Sequence, residues 1–267
     1  MPVKFISNFF VGLRSGSKTR LGTYYYESGE YDKAIAYYTK SIQVDPNNAE
    51  PYAGRGNAHW VNGDYNKAIA DYTRAIRLKP SVAEVYCDRG LVYCETGEFG
   101  QAIADCTEAI RLDPDMARAY TNRGLAHYRR GSFDETIADC TKAIELDPDE
   151  EGAYTNRGLA HIAKKEFDEA LEDFTEAILL DPEDVMAYIN CSLAHYHKGM
   201  FDEAIQDCTE AIELDSEEAA TYINRGIAYS AKGMFAEAIA DFEEALRHEP
   251  DNSEAKEKLE NARQRKH

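Results

Sequence analysis

Positive charge is scarce in this chain. Of 267 residues, 30 are Lys or Arg and 49 are Asp or Glu, a formal charge of −19. A surface that acidic repels a phosphate backbone, which argues against general nucleic-acid binding and for steering of basic partners. Apolar runs are short, so no span across a bilayer is expected. Cysteine occurs six times, but no two are spaced C-x-x-C, and neither a zinc ribbon nor a disulfide framework is expected. That usage suits a reducing, cytoplasmic compartment. The start, MPVKFISNFFVGLRSG, is basic and partly apolar. Ser7 and Asn8 interrupt it and no small-residue cleavage site follows, so it is not read as a secretory leader. A phosphate-binding loop, a nucleophile–base pair and a distinctive carboxylate dyad are missing too. The expectation is a protein with no enzymatic activity, no cofactor and no metal.

What is abundant is repetition. Pro46, Pro80, Pro114, Pro148 and Pro182 follow one another at intervals of 34; Ser216 takes the next place and Pro250 the one after. Setting this residue as slot 32 divides the chain into seven units: 15–48, 49–82, 83–116, 117–150, 151–184, 185–218 and 219–252. Slot 8 is glycine except Ser192, slot 15 is glycine except Lys165, and slot 20 is alanine except Thr136. Each unit reads as two helices. The first covers about slots 2–14 and stops at the glycine of slot 15, a residue that tolerates a left-handed cap. The second covers about slots 18–30, with apolar residues at helical spacing, and proline ends it. Small residues at slots 8 and 20 allow the pair to approach closely.

The pattern resembles the tetratricopeptide repeat (TPR) family: aromatic at slot 4, glycine at 8, alanine at 20, aromatic at 24, alanine at 27, proline at 32. Unit seven supplies Tyr222, Gly226, Ala238, Phe242, Ala245 and Pro250. The resemblance implies an all-α fold, a right-handed superhelical solenoid of seven helix-turn-helix repeats, with first helices lining a concave groove. Residues 253–267 are expected as a capping helix with a thin stripe of Ala255, Leu259 and Ala262. Residues 1–14 form an apolar and basic segment. Phe5, Ile6, Phe9 and Phe10 are expected to cover repeat one, with membrane contact, partner contact or self-association as the alternatives.

The family implies that slots 2, 5, 6, 9, 12 and 13 face the groove. Slot 6 reads Asn122, Asn156, Asn190 and Asn224 in four successive repeats. Packed helices sit ~8–10 Å apart and an extended peptide rises ~3.3 Å per residue, so one asparagine would meet a bound strand at about every third residue. Its amide both donates and accepts. This resembles the asparagine ladder in the TPR superhelix of O-GlcNAc transferase. Leu125, Leu159, Leu193 and Ile227 at slot 9, with Tyr128 and Tyr196 at slot 12, add apolar surface. Earlier repeats present Glu27, Glu50, Glu84, Asp88 and Glu95. The expected groove is acidic toward the N-terminus and neutral toward the C-terminus, binding an extended or basic segment of another protein. A self-associating module and a co-chaperone are the alternatives, with a redox or metal protein behind them. The co-chaperone clamp for a C-terminal carboxylate needs lysine at slot 5, which never occurs here.

Three departures from the family pattern carry structural expectations. Arginine fills slot 7 at Arg55, Arg89, Arg123, Arg157 and Arg225, and aspartate fills slot 23 at Asp71, Asp105, Asp139, Asp173, Asp207 and Asp241. Helices folded back at slot 15 set these opposite each other, so an internal bridge is expected. Repeat six has Cys191 at slot 7, and its Asp207 is assigned to Arg225. His59, His127, His161 and His195 fill the tyrosine place at slot 11, with their polar tips expected outward. Cys106, Cys140 and Cys208 replace an aromatic at slot 24 as small buried groups, while Cys87 and Cys94 are placed toward the groove.

Overall fold

The computed structural model describes residues 16–266. The segment 1–14 assigned to cover repeat one therefore lies outside the described residues. The described chain is helix, turn and loop, with fifteen α-helices. They fall into two compact units, 1–131 and 132–267, so the division passes between the two helices of repeat four.

Unit one contains α1 (Ser17–Glu27), α2 (Tyr31–Val44), α3 (Glu50–Val61), α4 (Tyr65–Leu78), α5 (Ala83–Glu95), α6 (Phe99–Leu112) and α7 (Ala117–Arg129). Unit two contains α8 (Phe133–Leu146), α9 (Glu151–Lys164), α10 (Phe167–Leu180), α11 (Val185–His197), α12 (Phe201–Leu214), α13 (Ala219–Ala231), α14 (Phe235–His248) and α15 (Ser253–Arg265). Second helices open on the aromatic of slot 17, one residue before the expected start. Within each unit, successive helices pack in chain order. First helices also touch the next first helix: α1 on α3, α3 on α5 and α5 on α7 in unit one; α9 on α11, α11 on α13 and α13 on α15 in unit two. Each unit therefore has one face built from first helices alone.

The turns explain slot 15. Gly63 has φ of 76°, and the amides of Gly63 and Asp64 return to the carbonyls of Trp60 and His59 at 2.9 and 2.8 Å. This closes the helix with a left-handed cap. Lys165 holds the same conformation with φ of 65°, the one non-glycine residue with positive φ among those described. Slot 8 is glycine for a different reason. A Cβ on Gly158 would lie 2.6 Å from the Phe174 ring. Removing that carbon lets the slot-24 side chain seat against the first helix, where Phe174 is fully buried. Alanine fills the remaining contacts: Ala160, Ala170, Ala177, Ala194 and Ala211 are all 0 % exposed. Small residues at helix crossings bring backbones close, and the tight packing that follows adds many dispersion contacts to the burial of apolar surface.

Candidate functional site

The slot-7 arginines support the first-helix face from behind. Arg55 Nε and Nη2 each donate to the Asp71 carboxylate at 2.8 Å, and Arg89 grips Asp105 at 2.7 and 2.8 Å. In unit two, Arg157 Nη2 donates to Asp173 at 2.6 Å and Arg225 Nη2 to Asp241 at 2.8 Å. These are two-pronged guanidinium–carboxylate pairs, the strong geometry for such bonds. The third nitrogen reaches the preceding repeat. Nη1 of Arg55, Arg89, Arg123, Arg157 and Arg225 donates to Thr39, Thr73, Thr107, Thr141 and Thr209 at 2.9, 2.8, 3.2, 3.0 and 3.3 Å. Arg55, Arg89, Arg157 and Arg225 thus each join a second helix behind them to the second helix ahead. The threonine partner recurs at slot 25, and that recurrence was its sequence signal. The guanidinium also lies over the slot-4 tyrosine; Arg157 sits 5.8 Å from the Tyr154 ring centre.

Repeat six corrects two expectations. Arg225 is committed to Asp241 and Thr209, so it does not serve Asp207. His195 Nδ1 meets the Asp207 carboxylate at 2.6 Å instead. Slot 11 lies one helical turn beyond slot 7, so its ring reaches the same aspartate. The histidine tips accordingly turn inward rather than outward: His161 Nδ1 lies 2.7 Å from Glu166, and its Nε2 lies 3.9 Å from Asp173. Burial pushes the Asp207 carboxyl above its ordinary value, and the His195 bond opposes that shift.

The cysteines are interior groups. All six are free and buried. Cys87 is 0 % exposed, which overturns its placement toward the groove. Burial pushes the Cys94, Cys140, Cys191 and Cys208 thiols up to about 12. Thiols held protonated in this way are poor nucleophiles. Among the described residues, no three His, Cys, Asp or Glu side chains converge as a metal ion requires. No helix there is long and apolar enough to cross a membrane.

On the first-helix face of unit two, Asn156 and Asn224 are half-buried and Asn190 is 8 % exposed. None of the three amides makes a hydrogen bond within the described residues. They occupy slot 6 of α9, α11 and α13. Leu159 and Ile227 beside them are half-buried and also touch the core around Phe174 and Phe242. Leu193 is half-buried. Tyr196 packs at 5.6 Å on Phe201 and, with Ile227, lines a cavity of about 230 Å³ reaching Lys258 and Arg265 of α15. Met186, at slot 2, is 52 % exposed; it was not singled out, although methionine at that slot is unique in this chain.

Unit one is different. Asn122 is 6 % exposed, and its amide nitrogen lies 3.4 Å from the Cys87 carbonyl and 3.2 Å from the Cys87 sulfur. It is tied to α5. Leu125 packs beside Cys94 and Ala126, and Tyr128 is half-buried on the same helix. Asp88 is paired with Arg118 at 2.8 Å, Glu84 is half-buried nearby, and Glu50 is 5 % exposed. With Arg20 and Arg129 at groove slots as well, this face is mixed in charge rather than acidic.

Residues 22–63, 61–97 and 90–131 match a family model described as TPR repeat. Residues 117–150, 152–184 and 219–252, and 187–218 through a second model, match tetratricopeptide repeat. No curated protein gives a significant match. Among solved structures, the APC/C hetero-tetramer Cut9-Hcn1 is 20 % identical with a TM-score of 0.78, over 90 % of this chain and 48 % of that one. The chain thus spans about half the length of that neighbour. A repeat protein from Parabacteroides merdae is 19 % identical with a TM-score of 0.71, over 92 % of this chain and 97 % of its own. YrrB, described as having an unusual peptide-binding site, is 22 % identical with a TM-score of 0.57, over 70 % of this chain and 96 % of its own.

Proposed function

Since the chain belongs to the tetratricopeptide repeat family, whose arrays are in general non-catalytic protein-interaction scaffolds, we propose that its unit-two first-helix face binds an extended segment of another protein. One observation carries this reading. Asn156, Asn190 and Asn224 present unpaired amides at successive copies of one slot, on a face whose groove slots hold no Asp, Glu, Lys or Arg between Gly152 and Ala231. An amide pairs with a peptide unit whatever side chain that unit bears, and the neighbouring Leu159, Leu193, Ile227 and Tyr196 supply apolar contact. YrrB's described peptide site is consistent with such use. Asn122 and Leu125, with Tyr128, Glu84 and Asp88, belong to unit one and are not part of this proposed face.

The test is selection of peptides from a displayed random library on the wild-type protein, followed by affinity measurement on Asn156→Ala/Asn190→Ala/Asn224→Ala. At about 1 kcal/mol per hydrogen bond, the triple variant should lose roughly a hundredfold. Equal affinity for both proteins overturns the reading.

A further inference from the structure

Glu50 is the first residue of α3 and sits at slot 2. It is 5 % exposed, its Oε2 is fully enclosed, and no hydrogen bond reaches its carboxylate. The buried carboxylates Asp71, Asp105, Asp173 and Asp241 are each held by an arginine. A buried carboxylate without a donor costs several kcal/mol in principle, and proteins of this packing density rarely tolerate one. Glu50 also lines a cavity of about 270 Å³ in unit one. The remaining walls are largely apolar, with Ala53 of α3, Leu78 of α4, and Val82 and Val85 at the start of α5; Lys79 lies at the same cavity.

We propose that this cavity is a binding site for a cationic side chain of a partner, an ammonium or guanidinium on an aliphatic stem, with Glu50 as its acceptor. The apolar walls suit the methylenes of such a side chain, and the carboxylate suits its N–H groups. The volume admits one such chain. Arg20 and Lys79 are the charged groups that act on Glu50. Burial outweighs their combined field and pushes the Glu50 carboxyl up to about 7. The proposal names the chemistry of one residue in a partner, but its test uses a small probe and leaves the unit-two face untouched. Either can therefore fail without the other.

The probe is n-butylammonium, titrated at about pH 8, where the carboxylate is mainly ionised, against the methyl signals of Ala53, Val82 and Val85 in an NMR spectrum of the full chain. n-Butylguanidinium is titrated in parallel. Saturable shifts of those methyls are expected with both. n-Butyltrimethylammonium keeps the charge and stem but lacks N–H donors and should bind roughly tenfold more weakly. 1-Butanol, a neutral donor, should show no saturation. Glu50→Gln should abolish the ammonium response while keeping the helical circular-dichroism spectrum. The proposal is overturned if neither donor cation saturates, if the trimethyl compound or butanol matches them on the wild-type protein, or if Glu50→Gln binds as well as wild type. The probe comparison on wild type needs no variant to fold.

Discussion

The two units are built from the same repeat but distribute charge in opposite ways. Residues 1–131 hold 17 Lys or Arg and 15 Asp or Glu, a net +2; residues 132–267 hold 13 and 34, a net −21. Unit one nevertheless places charge on its first-helix face, with Arg20, Asp88 and Arg118 among the groove slots. Unit two, far more acidic, leaves those slots uncharged from α9 to α13. Net charge and the chemistry of a face are therefore separate quantities in a repeat array, because each slot recurs on one side of its helix. The acidic residues of unit two recur at slots such as 18 and 19, where Asp168, Glu169, Asp202 and Glu203 are exposed. On the proposed reading, they would attract basic chains at long range while the uncharged face makes the contact.

The comparison is broken most severely through the internal clasps. Asp173 is the most enclosed of the clasped carboxylates, its side chain 4 % exposed against 10 % for Asp71. Removing its partner with Arg157→Ala should cost about 3–5 kcal/mol in urea denaturation. Arg55→Ala in unit one should cost less, and an equal loss would show that burial does not set the difference.

A smaller effect of opposite sign is expected in unit one. The Glu50 carboxyl stands at about 7 against an ordinary 4.5. A folded value above the unfolded one means the ionised form opposes folding. The penalty is complete above about pH 7 and is relieved as pH falls through that value toward 4.5. Glu50→Gln should therefore stabilise the protein by up to about 3 kcal/mol at pH 8, with the gain vanishing near pH 4.5. Thermal melts of both proteins across that range check it; a gain independent of pH would refute the assignment.

The smallest effect belongs to the exposed straps of unit two, where Lys198 meets Asp168 and Lys232 meets Asp202. Lys232→Ala should change stability by no more than about 1 kcal/mol, and less in high salt. A larger, salt-insensitive loss would mean that these surface pairs act as a network.

Much of the fold was legible because a 34-residue period averages over local ambiguity. Glycine at slot 15 and proline at slot 32 each mark the same boundary in six of the seven units, and an arginine always facing an aspartate sixteen residues on points to one contact. The site was less legible because side-chain partners depend on neighbours that break the period. Asn122 is captured by Cys87, a small residue with an accessible carbonyl; Ile189 stands at the equivalent slot before Asn224 and leaves that amide unpaired. Asp207 was assigned across a repeat boundary because His195 fills a slot usually given to tyrosine. The division after Gly131 leaves no mark in a sequence whose rhythm continues across it. The buried state of Glu50 depends on how α3, α4 and α5 close around it, which a slot number does not record.

The arginine clasps carry a mechanical consequence. Each fastens its own repeat to the one before, so cohesion along unit two passes from guanidinium to guanidinium. At repeat six the slot-7 residue is Cys191, so Thr175 of the repeat before it receives no guanidinium. Cooperativity in a linear array is only as strong as its weakest junction. Fraying under stress should therefore begin at the α10–α11 seam, where Leu179 and Met186 already lie open to solvent at 68 % and 52 %.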